Sequence, residues 1–351
     1  MKAKLILEDG TIFKGKAFGY LEEAVGEVVF NTSMAGYGEV LTDPSYYGQM
    51  VAMTYPLIGN YGISLEDVQS KQVCPKGFIV REKCDTPNNF RNEMSLDVYL
   101  KQNKMIGIEG IDTRALTKMI TKKGTMKGII TLDNNATLDT VQIKLDKFDN
   151  ANAVYEVSRK EKENYQGNGI KVAIMDYGVK QVMINNFVQR NCDVTVYPAT
   201  TPAQEVLADD PDLIFLSNGP GNPDDVEALV EAVKEMADKK PMVGVGLGHQ
   251  LIAKAFGGKI DKLAYGHRGG SHPVKDLELN KIFITEQNHG YYVSEVPECM
   301  TATQVNLNDN TVEGMKHKEL PIFTIQYHPD ACSGSKNNIY IYEQFLSIVN
   351  K

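Results

Sequence analysis

An imidazole and a carboxylate stand two residues apart near the carboxyl end of the chain, in the segment FTIQYHPD. If this segment is extended, His328 and Asp330 project from the same face, because side chains alternate along a strand. A carboxylate beside an imidazole can orient the ring and stabilise its protonated form, as in a catalytic triad. A lone histidine at a strand end is more often a partly buried structural residue. The pair is therefore a candidate general base that needs a nucleophile elsewhere.

A glycine-rich segment, PMVGVGLGHQLIAKAFGG at residues 241–258, has the form of a turn that could hold a nucleophile. Its apolar start predicts a buried strand, its second half has the spacing of a helix, and the last two glycines end that helix. Gly244 and Gly248 permit a sharp turn above a sheet. The tip is Gly246, so the turn carries no nucleophile. The unpaired amide of Leu247, where the helix begins, could donate to an oxyanion.

The histidines outside the His328 pair do not have the spacing of a metal site. They lack the i, i+4 separation of a zinc-binding helix, and two of them stand in the Gly-rich loop GHRGGSHP. We expect no metal and structural roles for the four histidines of this region: His249, His267, His272 and His289. The loop SNGPGNP at residues 217–223 also lacks the residue order of a phosphate or dinucleotide loop, so we expect no nucleotide there.

The 5 cysteines are scattered and have no CxxC spacing, which predicts free thiols rather than disulfides or a zinc site. Cys332, four residues after His328, is a conceivable substitute nucleophile. No glycine turn surrounds it, and a catalytic thiol needs a defined geometry. We therefore expect no covalent chemistry from Cys332.

The segment GVGLGHQ resembles the elbow GICLGHQ of class I glutamine amidotransferases, and a longer block resembles the small subunit of carbamoyl-phosphate synthase. That block is GEVVFNTSMAGYGEVLTDPSY at residues 26–46, and TYPLIGNYG and IEGIDTRALTKMI extend the resemblance. Amidotransferases of other pathways, such as anthranilate, GMP or CTP synthesis, share the elbow but lack this N-terminal region. The family has cysteine where this chain has Gly246. The resemblance therefore covers nearly the whole chain except its nucleophile.

The resemblance also implies roles that spacing alone leaves unassigned. It makes His328 the general base, with Asp330 in place of the usual Glu of the family, and it assigns the amides of Gly219 and Leu247 to the oxyanion. It further implies that L-glutamine contacts residues from both halves of the chain: Ser45, Gly219, Gly221, Leu247, Gln250, Asn288, Gly290 and Tyr291. The family usually has Phe where Tyr291 stands, and we expect this change to be tolerated where the backbone makes the contact.

The elements that must position these residues fall into two domains. Residues 1–150 open with a hairpin over Lys4–Tyr20 and mix strands with helices, which predicts an α+β domain. Residues 151–168 are polar and irregular, and we expect a linker there. From residue 169 to 351 strands and helices alternate, which predicts an α/β domain with a mostly parallel sheet and a last helix over Ser335–Val349. Catalytic groups of such sheets collect at the carboxyl ends of the strands.

Composition and charge indicate a soluble globular protein. Of 351 residues, 42% are hydrophobic and 23% are charged. The formal net charge of -8 argues against nucleic acid or an anionic membrane as the main partner. Because no apolar run is long enough to span a bilayer and the start MKAKLILEDG does not fit a signal peptide, we expect a cytoplasmic protein.

These observations predict the glutaminase subunit of the family, with no cofactor in this chain. The resemblance implies a large synthetase subunit as partner, which would use the ammonia together with ATP, Mg²⁺ and bicarbonate. Because Gly246 has no side chain, no thioester can form, and we expect a very poor glutaminase. Two explanations stay open: a cysteine was replaced to disable the reaction, or the chain is naturally a structural or regulatory subunit. The sequence does not choose between the arginine and pyrimidine pathways.

Overall fold

A computed structural model describes residues 1–330 and 340–349 of the chain. It forms two compact units, Met1–Asn150 and Ala151–Lys351. The buried apolar residues of each unit pack among themselves, in three clusters for the first unit and two for the second. Each unit is therefore built around its own core.

The first unit is a small barrel with helices packed against it. Its strands are β1 (Lys2–Leu7), β2 (Ile12–Gly19), β3 (Ala24–Asn31), β4 (Gln49–Met53), β5 (Leu57–Ile58), β6 (Gly77–Ile79), β7 (Glu82–Lys83), β8 (Ile106–Glu109) and β9 (Met126–Thr131). Its helices are α1 (Tyr37–Thr42), α2 (Leu96–Gln102), α3 (Thr113–Lys123) and α4 (Leu138–Asp146). The closed barrel has the strand order β1-β2-β8-β6-β4-β3-β9, and β5 pairs with β7.

Both faces of β4, of β6 and of the second half of β3 are buried, which explains why these segments are nearly continuous apolar runs, whereas β2 begins at the surface and contains lysines. On β3, Val28 packs in a cluster that includes Leu116 of α3, whereas Val29 packs in a cluster that includes Leu41 of α1 and Leu100 of α2. Successive side chains of a strand point to opposite faces, so neighbouring residues enter different clusters. The predicted opening hairpin is present as antiparallel β1 and β2.

The second unit alternates strands and helices over its first half and continues with long strands. Its strands are β10 (Glu163–Tyr165), β11 (Lys171–Asp176), β12 (Asp193–Pro198), β13 (Leu213–Leu216), β14 (Met242–Val245), β15 (Lys259–Asp276), β16 (Lys281–Glu295), β17 (Met300–Asn306), β18 (Val312–His317) and β19 (Ile322–Ile325). Its helices are α5 (Ala153–Val157), α6 (Gln181–Val188), α7 (Ala203–Ala208), α8 (Glu227–Ala237), α9 (Leu247–Ala255) and α10 (Ile341–Ser347).

These strands form one sheet in the order β10-β12-β11-β13-β14-β19-β18-β17-β15-β16. Strands β12, β11, β13, β14 and β19 are mutually parallel, and the remaining pairs are antiparallel. The register pairs Leu216 with Gly244 and Val245 with Ile325. The carboxyl ends of the central strands therefore lie at one edge, where the loop after β13, the Gly246 turn and the segment leading to His328 all begin.

Helices cover both faces of this sheet, as an α/β fold requires. Ile214 of β13 packs in a cluster with helix α8 and helix α9, and the next residue, Phe215, packs in a cluster with helix α6 and helix α10. On the second face, Phe187 lies edge-on to Phe215 with ring centroids 5.1 Å apart. The predicted α/β class of the second domain is confirmed. The prediction of a mostly parallel sheet holds only for the central strands, because five of the nine strand pairings among the described residues are antiparallel, including those of the long strands β15 and β16.

Three features expected from the sequence were an irregular linker, a last helix and the absence of a membrane-spanning segment. Residues 151–168, predicted to be an irregular linker, contain α5 and β10, and β10 pairs with β12 as a short edge strand. Three residues are too few for a hydrophobic alternation, so the sequence does not reveal that strand. Of the helix predicted over Ser335–Val349, the part described is α10, and Cys332 lies outside the described residues. No helix within residues 1–330 and 340–349 is long and apolar enough to cross a membrane.

Candidate active site

The chain turns sharply at Gly246, between the end of β14 and the start of α9. Gly246 has φ 57° and ψ −111°, a backbone conformation that residues other than glycine rarely adopt. Its amide donates to the carbonyl oxygen of Ile325 at 3.0 Å, which ties the turn to the neighbouring strand. A Cβ atom built on Gly246 would lie 3.2 Å from Cβ of Asn218, a close contact that needs only a small shift. The turn thus has the shape of an elbow with room for a small side chain.

The two glycines flanking Gly246 are required by close packing. A Cβ atom on Gly244 would lie 2.7 Å from the backbone of Gly248, and a Cβ atom on Gly248 would lie 2.2 Å from the carbonyl oxygen of Leu216. The amide of Gly248 donates to the carbonyl oxygen of Ser217 at 3.0 Å. Helix α9 therefore approaches the sheet at a distance that only glycine permits, and this approach fixes where the helix begins.

Two backbone segments meet beside the elbow. Leu247 is the first residue of α9, so its amide has no acceptor one turn earlier in the helix and remains available at the elbow. The loop that follows β13 lies beside it, because a Cβ atom on Gly219 would be 2.9 Å from Cδ2 of Leu247. Gly221, in the same loop, has φ 91°. The structure therefore brings the two predicted oxyanion residues, Gly219 and Leu247, next to one another.

The loop after β13 is held in place from β11. Oγ of Ser217 accepts a hydrogen bond from the amide of Tyr177 at 3.0 Å, and Nδ2 of Asn218 donates to the carbonyl oxygen of Gly178 at 3.0 Å. Ser217 and Asn218 are fully buried. Polar side chains buried in this way keep their hydrogen bonds, so the loop that carries Gly219 is a rigid part of the sheet edge.

His328 and Asp330 follow the end of β19 and are both buried, with 2% exposure each. The amide of His328 donates to the carbonyl oxygen of Glu286 on β16 at 3.0 Å. A lysine that the sequence did not single out lies between the two side chains. Nζ of Lys180 is 2.7 Å from Oδ2 of Asp330 and 3.4 Å from Nδ1 of His328.

Lys180 reaches this place because of a turn after β11. The carboxylate of Asp176, at the end of β11, accepts hydrogen bonds from the amides of Gly178 and Val179 at 3.0 and 2.8 Å. This turn places Lys180 immediately before α6, with its side chain 2% exposed. Asp176 is itself held by Nε of Arg159 at 3.0 Å.

The position of Lys180 changes what the histidine can do. At Nδ1 of His328 the structure places an ammonium group, which only donates. In a triad a carboxylate at Nδ1 accepts the ring proton instead, which leaves Nε2 free to take a proton. Burial raises the pKa of Asp330 to about 6, although the neighbouring Lys180 opposes this rise. Asp330 therefore acts here as the counter-ion of a buried lysine.

Two of the residues predicted to contact substrate in this unit, Gln250 and Tyr291, are joined by a hydrogen bond. Nε2 of Gln250, one turn into α9, donates to the carbonyl oxygen of Tyr291 at 2.9 Å and to Oε1 of Gln326 at 3.0 Å. Gln326 is two residues before His328, and its backbone oxygen would lie 3.8 Å from a Cβ atom on Gly246. The helix, β16 and the segment before His328 are thus joined around the elbow.

Asn288 and Gly290 stand two residues apart on β16, the strand that contains Tyr291. A buried arginine lies against them: Arg268, 3% exposed, is paired with Asn288 across the strands. A Cβ atom on Gly290 would be 3.2 Å from its Nη2. The sequence analysis assigned no chemistry to Arg268, which stands in the loop GHRGGSHP.

Ser45 and His249 were also singled out from the sequence. Ser45 belongs to the first unit, where the side chain of Asp43 accepts from its amide at 2.9 Å in a short 3-10 turn, and its contact with glutamine stays a prediction. His249 is fully buried, and its Nδ1 lies 2.8 Å from Oγ1 of Thr324. Burial lowers the pKa of His249 to about 3. It is therefore a neutral structural side chain of α9, as expected.

Sequence reasoning missed Lys180 and Arg268. Each is a buried cation at a strand or loop position without its own motif. A partial signal was present for Lys180, because Asp176 stands at the carboxyl end of β11 and the turn it begins leads directly to the lysine.

Comparisons with known proteins define the class first. Residues 173–348 match the glutamine amidotransferase class-I family, and residues 5–130 match the family described as carbamoyl-phosphate synthase small chain, CPSase domain. The order of the two matches is that of the two structural units. The chain belongs to the carbamoyl-phosphate synthase small-chain family.

Several curated relatives match over nearly their whole length. The carbamoyl phosphate synthase small chain of Clostridium perfringens is 61% identical over 346 residues, which are 99% of each chain. That of Clostridium acetobutylicum is 48% identical and covers 99% of this chain and 100% of its own. The pyrimidine-specific small chain of Bacillus subtilis is 44% identical over 351 residues, 99% of this chain and 96% of its own.

Proposed function

We propose that this chain is the glutamine-binding subunit of a carbamoyl-phosphate synthase and that, as it stands, it hydrolyses glutamine very poorly. The observation that carries the proposal is the elbow itself. The strand, the strained turn and the helix are all present, and Gly219 lies against the side chain of Leu247, but the tip is Gly246. We infer that this glycine occupies the position of the family's nucleophilic cysteine.

With a thiol at position 246, each remaining group would have a role in hydrolysing the side-chain amide of glutamine. The sulfur would attack the amide carbon, and the amides of Gly219 and Leu247 would donate to the oxyanion. His328 would carry the proton from the thiol to the departing ammonia, and water would then cleave the thioester. Without the thiol, no covalent intermediate forms, and only binding and the oxyanion donors remain.

The substrate-binding part of the proposal does not require the thiol. Gln250, Asn288, Gly290 and Tyr291 lie on α9 and β16, which the hydrogen bonds of Gln250 connect. We propose that these residues, with Gly221 and with Ser45 of the first unit, hold L-glutamine. The partner is a large synthetase subunit that supplies the ATP, Mg²⁺ and bicarbonate steps, and this chain holds no cofactor for hydrolysis.

The first prediction concerns ammonia release from glutamine, measured with and without a matched large subunit. We expect no measurable release by the chain itself or by Gly246→Ala, which adds a Cβ atom without a thiol. Gly246→Cys should restore release, because a Cβ atom fits at 3.2 Å from Asn218. Adding His328→Asn to the cysteine variant should reduce the rate about 1,000-fold or more, since it removes the base.

A specific observation favours a second candidate function. Because Lys180 stands between His328 and Asp330, the machinery for proton transfer differs from a histidine–carboxylate pair. A non-catalytic structural or regulatory subunit of an ammonia-using synthase needs no such pair. If Gly246→Cys releases no ammonia while the chain still binds the large subunit, this second function replaces the first. Calorimetric titration with L-glutamine then shows whether the pocket still binds its ligand.

A further inference from the structure

Three buried ionisable side chains meet on the antiparallel half of the sheet: His267 on β15, His289 on β16 and Glu313 on β18. Each offers one ligand atom, and these atoms lie within 4.8 Å of one another. His267 and His289 are directly paired across their two strands, with ring centroids 5.1 Å apart. The proposed hydrolysis uses none of the three.

The hydrogen bonds of His267 leave one ring nitrogen facing the cluster. Nε2 lies 2.8 Å from Oδ2 of Asp309, a carboxylate that can only accept, so Nε2 carries a proton. Nδ1 lies 3.7 Å from Oε1 of Glu313 and 3.4 Å from Nδ2 of Asn306, an amide nitrogen that can donate to it. A histidine whose outer nitrogen donates to a carboxylate while the inner one faces other ligands is the usual arrangement around a metal ion.

His289 is oriented in the same manner. Its Nδ1 lies 2.8 Å from the carbonyl oxygen of Tyr291, so Nδ1 must donate. Its Nε2 lies 2.9 Å from Oε1 of Gln287, whose amide nitrogen donates to Oγ1 of Thr285 at 3.0 Å. A neutral His289 ring therefore points the lone pair of Nε2 at the side-chain amide oxygen of Gln287, which is also an acceptor.

Glu313 brings a carboxylate that lacks full compensation. It is 0% exposed, and Oε1 accepts from Nδ2 of Asn306 at 2.8 Å. Oε2 has no hydrogen-bond partner among the described residues. The imidazole of His267 is shared with Asp309, so two carboxylates face one imidazole ring. A buried carboxylate oxygen without a partner is costly, and a bound cation would remove that cost.

We propose that His267, His289 and Glu313 bind one divalent transition-metal ion of the Zn²⁺ type, with Oε1 of Gln287 or a water as the fourth ligand. Two imidazoles and one carboxylate are a ligand set that Zn²⁺ accepts in tetrahedral geometry. Asp309 and the carbonyl oxygen of Tyr291 are the outer partners that fix the two rings.

The site would connect the long β15–β16 hairpin to β18. The carbonyl oxygen of Tyr291 accepts from both His289 and Gln250 of α9, so the ion would also stabilise the strand that contains Asn288 and Gly290. The sequence analysis argued against a metal because the histidines lack the i, i+4 spacing of two ligands on one helix. That criterion does not apply to ligands on different strands. Here the ligands come from three strands, which only the folded sheet brings together.

The test uses the full chain, stripped with a chelator and titrated with Zn²⁺ against a competing indicator, with Co²⁺ as a spectroscopic probe. We expect one equivalent bound, a tetrahedral Co²⁺ spectrum and a higher unfolding temperature with Zn²⁺. Glu313→Gln keeps the acceptor for Asn306 but removes the charge, and it should weaken binding about 10-fold or more. His317→Asn, on the same strand but outside the cluster, should bind as the parent does.

X-ray absorption of the Zn²⁺-loaded unmodified chain provides a measurement that needs no variant, and it should show two imidazole nitrogens around the metal. The proposal is overturned by the absence of binding at tens of micromolar Zn²⁺, by equal affinities of Glu313→Gln and the parent, or by a coordination shell without imidazole. If Glu313→Gln fails to fold, the absorption spectrum of the parent decides.

Discussion

Lys180 places an ammonium group against the pair that the sequence analysis had treated as a catalytic base and its orienting carboxylate. Its ammonium contacts Oδ2 of Asp330 at 2.7 Å in a site where both side chains are almost completely buried. Asp330 is one methylene shorter than the Glu of the family pattern, and in this chain its carboxylate contacts the lysine. A buried ion pair of this kind is costly to break from one side, because the remaining charge has no partner.

The titration of Asp330 is the second prediction. Because its folded pKa of about 6 lies above the ordinary value of 3.8, the folded protein binds this proton more tightly than the unfolded chain. The contribution of this group to stability is therefore fully present below pH 3.8 and is lost as the pH rises through about 6. Carboxyl NMR of ¹³C-labelled aspartate should show one resonance that titrates near pH 6.

Replacing the lysine tests the same pair and is the third prediction. Lys180→Met should raise the pKa of Asp330 further and lower the free energy of unfolding at pH 8 by about 3–5 kcal/mol, since it leaves a buried carboxylate alone. Denaturant titration measures the loss. Adding Asp330→Asn removes the isolated charge and should recover most of the lost free energy of unfolding. A Lys180→Met variant as stable as the parent would contradict the ion pair.

The elbow glycines give a fourth prediction. Gly248→Ala places a Cβ atom 2.2 Å from the carbonyl oxygen of Leu216, and neither backbone can move without displacing α9 or β13. We expect a loss of more than about 3 kcal/mol in unfolding free energy. The matched control is Gly38→Ala in α1. Among the described residues, the only atom near its Cβ atom would be Cδ1 of Ile63, at 4.0 Å. Gly38→Ala should be neutral or stabilising by up to about 1 kcal/mol.

Among the elements, α10 shows how the second face of the sheet is completed. Its apolar side packs on β13 and α6 through aromatic rings: Tyr342 lies 5.2 Å from Phe187, and Phe345 lies 6.0 Å from Phe215. All four rings belong to one buried cluster. The helix has only seven residues, so this packing rather than its intrinsic propensity stabilises it.

The fifth prediction follows from that packing. Phe345→Ala should lower the free energy of unfolding by about 3–5 kcal/mol, because it leaves a cavity under the helix. Ser347→Ala, on the exposed side of α10, should change it by less than about 0.5 kcal/mol. Amide hydrogen exchange then distinguishes a local loss of stability from a global one. If exchange increases in α10 alone, the Phe345 ring stabilises only that helix.

At the scale of the whole molecule, the chain is a barrel unit followed by an α/β unit, each with an independent core. No buried cluster among the described residues combines side chains from residues 1–150 with side chains from residues 151–349. The division falls where the two family matches also separate, between residue 130 and residue 173. The polar composition around residue 150 marked this boundary in the sequence, although it did not reveal α5 or β10.

The amino-acid sequence by itself determined the elements around Gly246, the alternation of strands and helices after residue 169 and the family to which the chain belongs. These features depend on glycine positions and apolar spacing within short contiguous segments, which local backbone conformation and burial translate directly into structure. The elbow could be predicted because its strand, turn and helix are adjacent in sequence.

Only the tertiary structure decided what surrounds those elements. Lys180 is 148 positions from His328, and His267 and Glu313 lie on different strands of the sheet, so no local pattern relates them. Whether a buried histidine accepts or donates, and whether a carboxylate faces an imidazole or an ammonium, depends on which distant side chains share its site. Those contacts arise from strand order and register, which bring together groups that sequence periodicity cannot connect.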